Sequence, residues 1–456
     1  MKLLSQFENK YNNITYKLYQ LENGIKFLHL VNPATIDTDF AIIVKAGSAF
    51  EKKENVPQGT AHFLEHMILN PNSTFKSREE IDRFEQGNSQ KAGLDMNAYT
   101  SRKNIYFVGH TNEKGTDRLL ERVDSLIQFP KDIFKNHMKK ECEVVIAEKS
   151  RKQKKEKDAY LLSLEFLFND HLPEFTGDVL GEIEDIKKIR IEDLEKYFKD
   201  RFKTGNTVFA LQTEKDITPS MVQKLEKMSQ YFYKGDTDNF RKISLKNEYR
   251  IGTFTDERAN GFFFSLIYFK KEPAKYDYKD LALSKLSNNL ISWLAFNKLR
   301  EEMGLIYDFS GFNTFSNSYE YSLSGFKFTT ENQKIAKMLK ELDNLMYVES
   351  FKFLKTEQGK EWFDDAMSNY IYPRTTKFDP EIAENTVVSL LEGNEIYNHN
   401  LFVDEMKKLT ILDIEKHLKK FLKIPPHIWM ESDMSDIKMK KIVEKSPLGK
   451  KYNKVV

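Results

Sequence analysis

A chain of 456 residues, 40% hydrophobic and 13% aromatic, can bury a core large enough for more than one domain and is too rich in large apolar side chains to be disordered. Lysine and arginine total 71 against 69 acidic residues, and the resulting net charge of +2 gives no reason to expect nucleic acid as a partner. The single cysteine, Cys142, excludes an internal disulfide and any multi-cysteine zinc cluster, and fits a reducing compartment.

The first stretch, MKLLSQFENKYNN, turns polar after two leucines and lacks the apolar run of a secretion signal. No apolar run elsewhere reaches the length that spans a bilayer, so the expected location is cytoplasmic, with no membrane partner. YKLYQLENGIKFLHLV then reads as a β-hairpin turning at Asn23-Gly24, and TDFAIIVKAGS as a buried strand.

Residues 59–70, GTAHFLEHMILN, have helical periodicity. A helix advances about 100° per residue, which puts Glu65 and His66 within about 60° of His62 on one face. Phe63, Leu64, Met67 and Ile68 fall on the other side, where they pack and hold the helix still. Two imidazoles four apart supply two zinc ligands, and a carboxylate beside them is placed to take a proton from water, which is hydrolytic chemistry. A buried His and Glu cluster satisfied by its own hydrogen bonds has the same spacing.

NAYT (97–100) and NIYFVGHT follow as strands, and then a helix, DIFKNHMKKECEVVIAEKSRK (132–152). It carries Glu141 and Glu148 within about 20° of each other, either of which can be a third ligand. His137, four residues before Glu141, competes on the same face, whereas Cys142 points about 100° away. The lysine-rich stretches at 150–160 and 438–456 read as a solvated helix face and a loose terminus.

The chain repeats itself. EDIKKIRIEDLEKYFKDRF (184–202) matches DEMKKLTILDIEKHLKKFL (404–422) at an offset of 220, and a second pair aligns Leu120 with Leu339 and Asp124 with Asp343 at nearly the same offset. NGFFFSLIYFKK in the second half takes the place of TDFAIIVKAGS, and YSLSGFKFTT that of NIYFVGHT. The expected fold is α+β: two homologous halves from a duplication, each a mostly antiparallel sheet packed with helices. The halves are 1–225 and 251–456, joined by a polar linker at 226–250. LALSKLSNNLISWLAFNKLREE replaces the HxxEH helix in the second half, so only the first carries a metal motif.

VKAGSAFEKKENVPQGTAHFLEHMIL, NAYTSRKNIYF, the paired glutamates of ECEVVIAE, and LREEMGLIYDF stand in an order that resembles the pitrilysin and mitochondrial-processing-peptidase family of inverzincin zinc metallopeptidases. The resemblance spans nearly the whole chain. It implies one Zn2+ per chain held by His62, His66 and Glu148, with Glu65 as general base and Glu141 in support. It implies that Arg300 and Tyr307, from the second half, bind substrate and steady the developing oxyanion, and that Asn97 and Ala98 lie on an edge strand where extended peptide pairs by its main chain. The activity implied is a zinc-dependent metalloendopeptidase acting on peptides or unfolded chains, as a homodimer or as a heterodimer with a related subunit. A non-catalytic or partner-dependent subunit is the alternative.

Overall fold

The computed structural model describes residues 1–155, 159–168, 176–237, 248–271, 277–316, 321–371, 386–387, 389–391 and 395–452. The chain falls into two compact units.

In the first unit, period-two alternation and β-branched runs give seven strands: β1 (Lys2–Glu8), β2 (Thr15–Gln20), β3 (Lys26–Val31), β4 (Asp37–Val44), β5 (Asp95–Thr100), β6 (Ile105–Asn112) and β7 (Thr207–Thr213). They form one sheet in the order β1-β2-β3-β7-β4-β6-β5, antiparallel except where β3 runs alongside β7. The hairpin β2–β3 turns where expected: Gly24 takes φ +106°, and the Asn23 side chain accepts the Ile25 amide at 3.2 Å. β1, not anticipated, adds an edge strand, and β5 forms the opposite edge.

One face of this sheet packs aromatic rings, Phe40 on Phe209, Phe107 on Phe202 and Phe209 on Phe232. The helices of this unit are α1 (Thr60–Leu69), α2 (Arg78–Gln86), α3 (Thr116–Leu126), α4 (Lys131–Lys155), then α6 (Ile191–Arg201) and α7 (Pro219–Ser229) after the intervening α5 (Ala159–Phe168). The other face buries Tyr16, Leu28, Leu30 and Ile43 under Leu390, Leu391 and Ile396, residues that follow in sequence only after most of the second unit. The exchange runs both ways, because Phe166 of α5 packs on Trp429 and His427, and Phe168 on Phe269, inside the second unit.

The second unit has five strands, β8 (Arg250–Thr255), β9 (Phe262–Lys271), β10 (Asp308–Ser316), β11 (Tyr321–Thr330) and β12 (His427–Ser432), in the order β10-β11-β9-β12-β8. Read from β8, the sequence β8-β12-β9-β11-β10 repeats β3-β7-β4-β6-β5, and the parallel pair falls at the same place in each. The helices of this unit include α8 (Tyr278–Ala295), α9 (Ile335–Asn344), α10 (Ile411–Phe421) and α11 (Asp436–Lys445). α6 and α10 begin at the equivalent positions 191 and 411, and Asp193 and Asp413 each accept the amide three residues earlier, at 2.9 and 3.0 Å. Leu120 and Leu339 are both fully buried, and Asp124 and Asp343 both take lysine partners, Lys227 and Lys451.

Part of the expected 226–250 linker belongs to the first unit. Residues 226–229 close α7, and the Tyr233 amide and carbonyl bond Phe202 and Thr204, returning the chain to the first unit; 238–247 lie outside the described residues. The C-terminal stretch is not loose as far as Tyr452, whose ring is buried and whose hydroxyl donates to the Leu422 carbonyl at 3.0 Å. The lysine-rich stretch at 150–160 runs from the end of α4 into residues 156–158, which are not described.

Candidate metal centre

α1 is buried on nearly all sides, not on one face only; Phe63, Leu64, Met67 and Ile68 are fully enclosed, and His62 and Glu65 are only 6% and 5% exposed. The residue before α1, Gly59 (φ +87°), offers no side-chain cap. The carboxylate of buried Glu51 does this instead, accepting the amides of Gly59 at 3.1 Å and Ala61 at 2.8 Å. Burial pushes the Glu51 carboxyl up to about 8, although both amides pull the other way.

α1 lies against α4, and three side chains converge between them. His62 Nε2 is 3.6 Å and His66 Nε2 3.4 Å from Glu148 Oε2, and one donor atom from each of the three residues lies within 4.8 Å of the others. The two imidazole rings are 4.7 Å apart and steeply inclined at 72°. The other ring nitrogen of His66, Nδ1, faces Glu141 Oε2 at 3.4 Å, and its carbonyl accepts from Asn70 Nδ2 at 2.9 Å. Burial alone would lower the His66 pKa, but Glu141 and Glu148, with Glu65 adding, lift it to about 9; the pocket favours a positive charge. Glu141 is correspondingly lowered, burial opposing and the hydrogen bonds from His66 and Asn70 prevailing.

The donor set fits zinc. Bonds of about 2.0–2.1 Å in a tetrahedron put neighbouring donors about 3.4 Å apart, close to the 3.6 and 3.4 Å from Glu148 to the imidazoles of His62 and His66. His137, on the same helix, is not in this set, and Glu141 stands behind His66, where the carboxylate partner of a ligating histidine would stand.

Glu65 accepts a hydrogen bond at 2.8 Å from the hydroxyl of Thr100. Thr100 was missed as a site residue. It ends the expected NAYT strand, and the period-two alternation of β5 puts it on the same face as Ala98 and opposite exposed Asn97. Asn97 uses its side-chain oxygen to accept the Ala98 amide at 2.9 Å, so that edge amide already has a partner. Arg300 and Tyr307 both belong to the second unit. Arg300 sits in a π-helical turn after α8, half-exposed, over the Phe296 ring at 4.9 Å, with sequence neighbour Glu301 as its ion-pair partner at 3.6 Å. Tyr307 is 61% exposed, its hydroxyl reaching Glu331 at 3.3 Å. Both side chains are open to solvent within their own unit.

A family model described as insulinase (peptidase family M16) matches residues 29–170, and one described as peptidase M16 inactive domain matches 188–347. The chain belongs to peptidase family M16. An uncharacterized zinc protease of Rickettsia felis is 22% identical to this M16 chain over 333 residues, 72% of this chain and 76% of the relative. A probable mitochondrial-processing peptidase subunit beta of Arabidopsis thaliana is 26% identical over 190 residues, 42% of this chain and 34% of the relative, so the alignment spans about a third of that protein. The first half of the periplasmic protease PqqL from Escherichia coli superposes with a TM-score of 0.73 at 14% identity over 98% of both chains, a likeness of fold. The zinc-type motif stands in the segment matched by the first M16 model, and the inactive-domain model begins beyond it. Among the described residues, no helix is long and apolar enough to cross a membrane.

Proposed function

We propose that the protein is a zinc-dependent endopeptidase of short or unfolded peptides, with His62, His66 and Glu148 as metal ligands. The observation that carries this reading is the convergence of three donor atoms within 4.8 Å beside the carboxylate of Glu65. Zinc held there would supply Lewis acidity, sharpening the acidity of water and polarising the scissile carbonyl. Glu65 takes the proton from the attacking water and returns it to the leaving amine, held in orientation by Thr100. Glu141 fixes the tautomer and the plane of His66.

Extended peptide adds to the free edge of β5 by main-chain pairing, displacing the Asn97 side chain from the Ala98 amide. Arg300 and Tyr307 supply donors to substrate and to the developing oxyanion, a role supported by their exposure and by the family resemblance. A partner-dependent subunit is the second reading, favoured by relatives named as subunits of a processing peptidase; a homodimer or a heterodimer with a related chain would serve.

Incubation of wild type and Glu65→Gln with a pool of unstructured peptides of roughly ten to forty residues, followed by mass spectrometry of new termini, tests the first reading. New termini from wild type alone support it. Equal cleavage by both refutes the role of Glu65, and none from either zinc-loaded protein transfers the weight to the subunit reading.

A further inference from the structure

Lys149 follows Glu148 in α4 and is only 2% exposed, yet it carries its ammonium group to two carboxylates, Asp178 at 2.6 Å and Glu182 at 3.2 Å. A lysine buried to this depth is stable only when paired. Both carboxylates stand on one short loop, which is internally braced: Asp178 Oδ1 accepts the Leu180 amide at 2.9 Å, and its carbonyl accepts the Gly181 amide at 3.0 Å.

The same loop presses on the start of α1 through bare backbone. A methyl group on Gly181 would stand 2.5 Å from the Gln58 carbonyl oxygen, and one on Gly59 would stand 2.5 Å from that of Leu180. Both glycines have positive φ, +75° and +87°. One loop therefore touches the histidine-bearing helix by main chain and the Glu148-bearing helix by an ion pair.

Lys149 lies about 100° round the helix from Glu148, so pinning Lys149 to the loop fixes the rotation of α4 about its own axis. A rotation of about 10° would carry a carboxylate about 6 Å from the axis through about 1 Å, far beyond the ±0.2 Å or so that zinc bonds tolerate. We propose that the 178–182 loop is a clamp setting α4 against α1, and that Lys149 is a positioning residue which governs metal retention without touching the metal. The inference rests on the reading that His62, His66 and Glu148 hold zinc.

The full-length protein tests it through zinc affinity, measured by competition with a chromophoric chelator, together with the absorption spectrum of the Co2+ form and the melting of the metal-free protein. Lys149→Met should weaken zinc binding about 10- to 100-fold and alter the Co2+ spectrum, and Lys149→Arg should restore both. The sign is diagnostic, because a lysine acting only through its charge would repel the cation, and its removal would tighten binding. Arg122→Met on α3, which breaks the ion pair of this buried arginine with Glu85 of α2, should cost stability and leave zinc affinity unchanged. If Lys149→Met does not fold, Asp178→Asn carries the test in the same direction, since Glu182 still pairs with Lys149. Wild type that binds zinc alongside Lys149 or Asp178 variants of equal or tighter affinity overturns the clamp alone, as does equal weakening by Arg122→Met. Wild type that binds no zinc overturns the clamp together with the reading beneath it.

Discussion

The hydroxyl of Thr100 donates to Glu65 Oε2 at 2.8 Å, joining the last residue of the edge strand β5 to the carboxylate between the two histidines of α1. The strand proposed to receive substrate and the base proposed to act on water are thus one hydrogen bond apart. Thr100→Val keeps the shape and removes the donor, so peptide cleavage should fall about tenfold in kcat with zinc affinity unchanged. Steady-state kinetics beside a zinc titration check this, and a loss confined to zinc binding would contradict the assignment.

Glu141 faces His66 Nδ1, away from the face that meets Glu148. Glu141→Gln should weaken zinc about 10- to 100-fold, because the imidazole loses the carboxylate that orients it and raises its basicity. Equilibrium dialysis against buffered zinc gives the answer directly. Unaltered affinity would leave Glu141 a buried structural carboxylate with no part in holding the metal.

Arg300 and Tyr307 are exposed in the second unit, so their removal should cost little stability. Arg300→Ala and Tyr307→Phe should each lower kcat/KM by about 10²-fold on an unstructured peptide while melting and zinc content stay at wild-type values. Activity within a factor of two of wild type would remove both from the mechanism.

His29 and His417 are buried in different units, and burial pushes each imidazole down to about 4. His29 rests on the Thr213 hydroxyl at 2.8 Å, and His417 Nδ1 on that of Ser287 at 2.8 Å. The unfolded chain takes up these protons near pH 6.5 and the folded one only near pH 4. The stability they contribute is therefore complete above about 6.5 and is lost as pH falls through about 4, on the order of 3 kcal/mol for each. Melting of the metal-free protein at pH 7, 5.5 and 4.5 should show the decline, and His417→Asn should flatten it. Parallel curves for variant and wild type would assign the acid sensitivity elsewhere.

That His62, Glu65 and His66 share one face was legible because helical spacing alone sets them there, and the duplication was legible because α6 and α10 keep their register at fixed offset. Helical spacing made Glu141 and Glu148 legible as one face, and only the family resemblance told them apart; in the structure the packing of α4 on α1 sets one against each nitrogen of His66. Thr100 and Glu51 were illegible: one reaches back 35 residues to its partner, and the other caps a helix from outside the usual cap positions. The main changeover between units falls inside the expected linker, but the two exchanged segments were illegible, because hydrophobic patterning reveals that α5 and Val387, Leu390, Leu391 and Ile396 are apolar, not which sheet they cover.

The apolar lid formed by Leu390, Leu391 and Ile396 over the first sheet sets an order of events during synthesis. A ribosome translating this message releases the proposed zinc ligands early, yet Tyr16, Leu28 and Ile43 stay uncovered until some 350 further residues have been added. The nascent first half must wait, with a greasy face open, for its own distant downstream sequence. Chaperone demand should be heaviest in that interval, and a premature stop before residue 386 should yield an insoluble product even though every proposed zinc ligand has already been made.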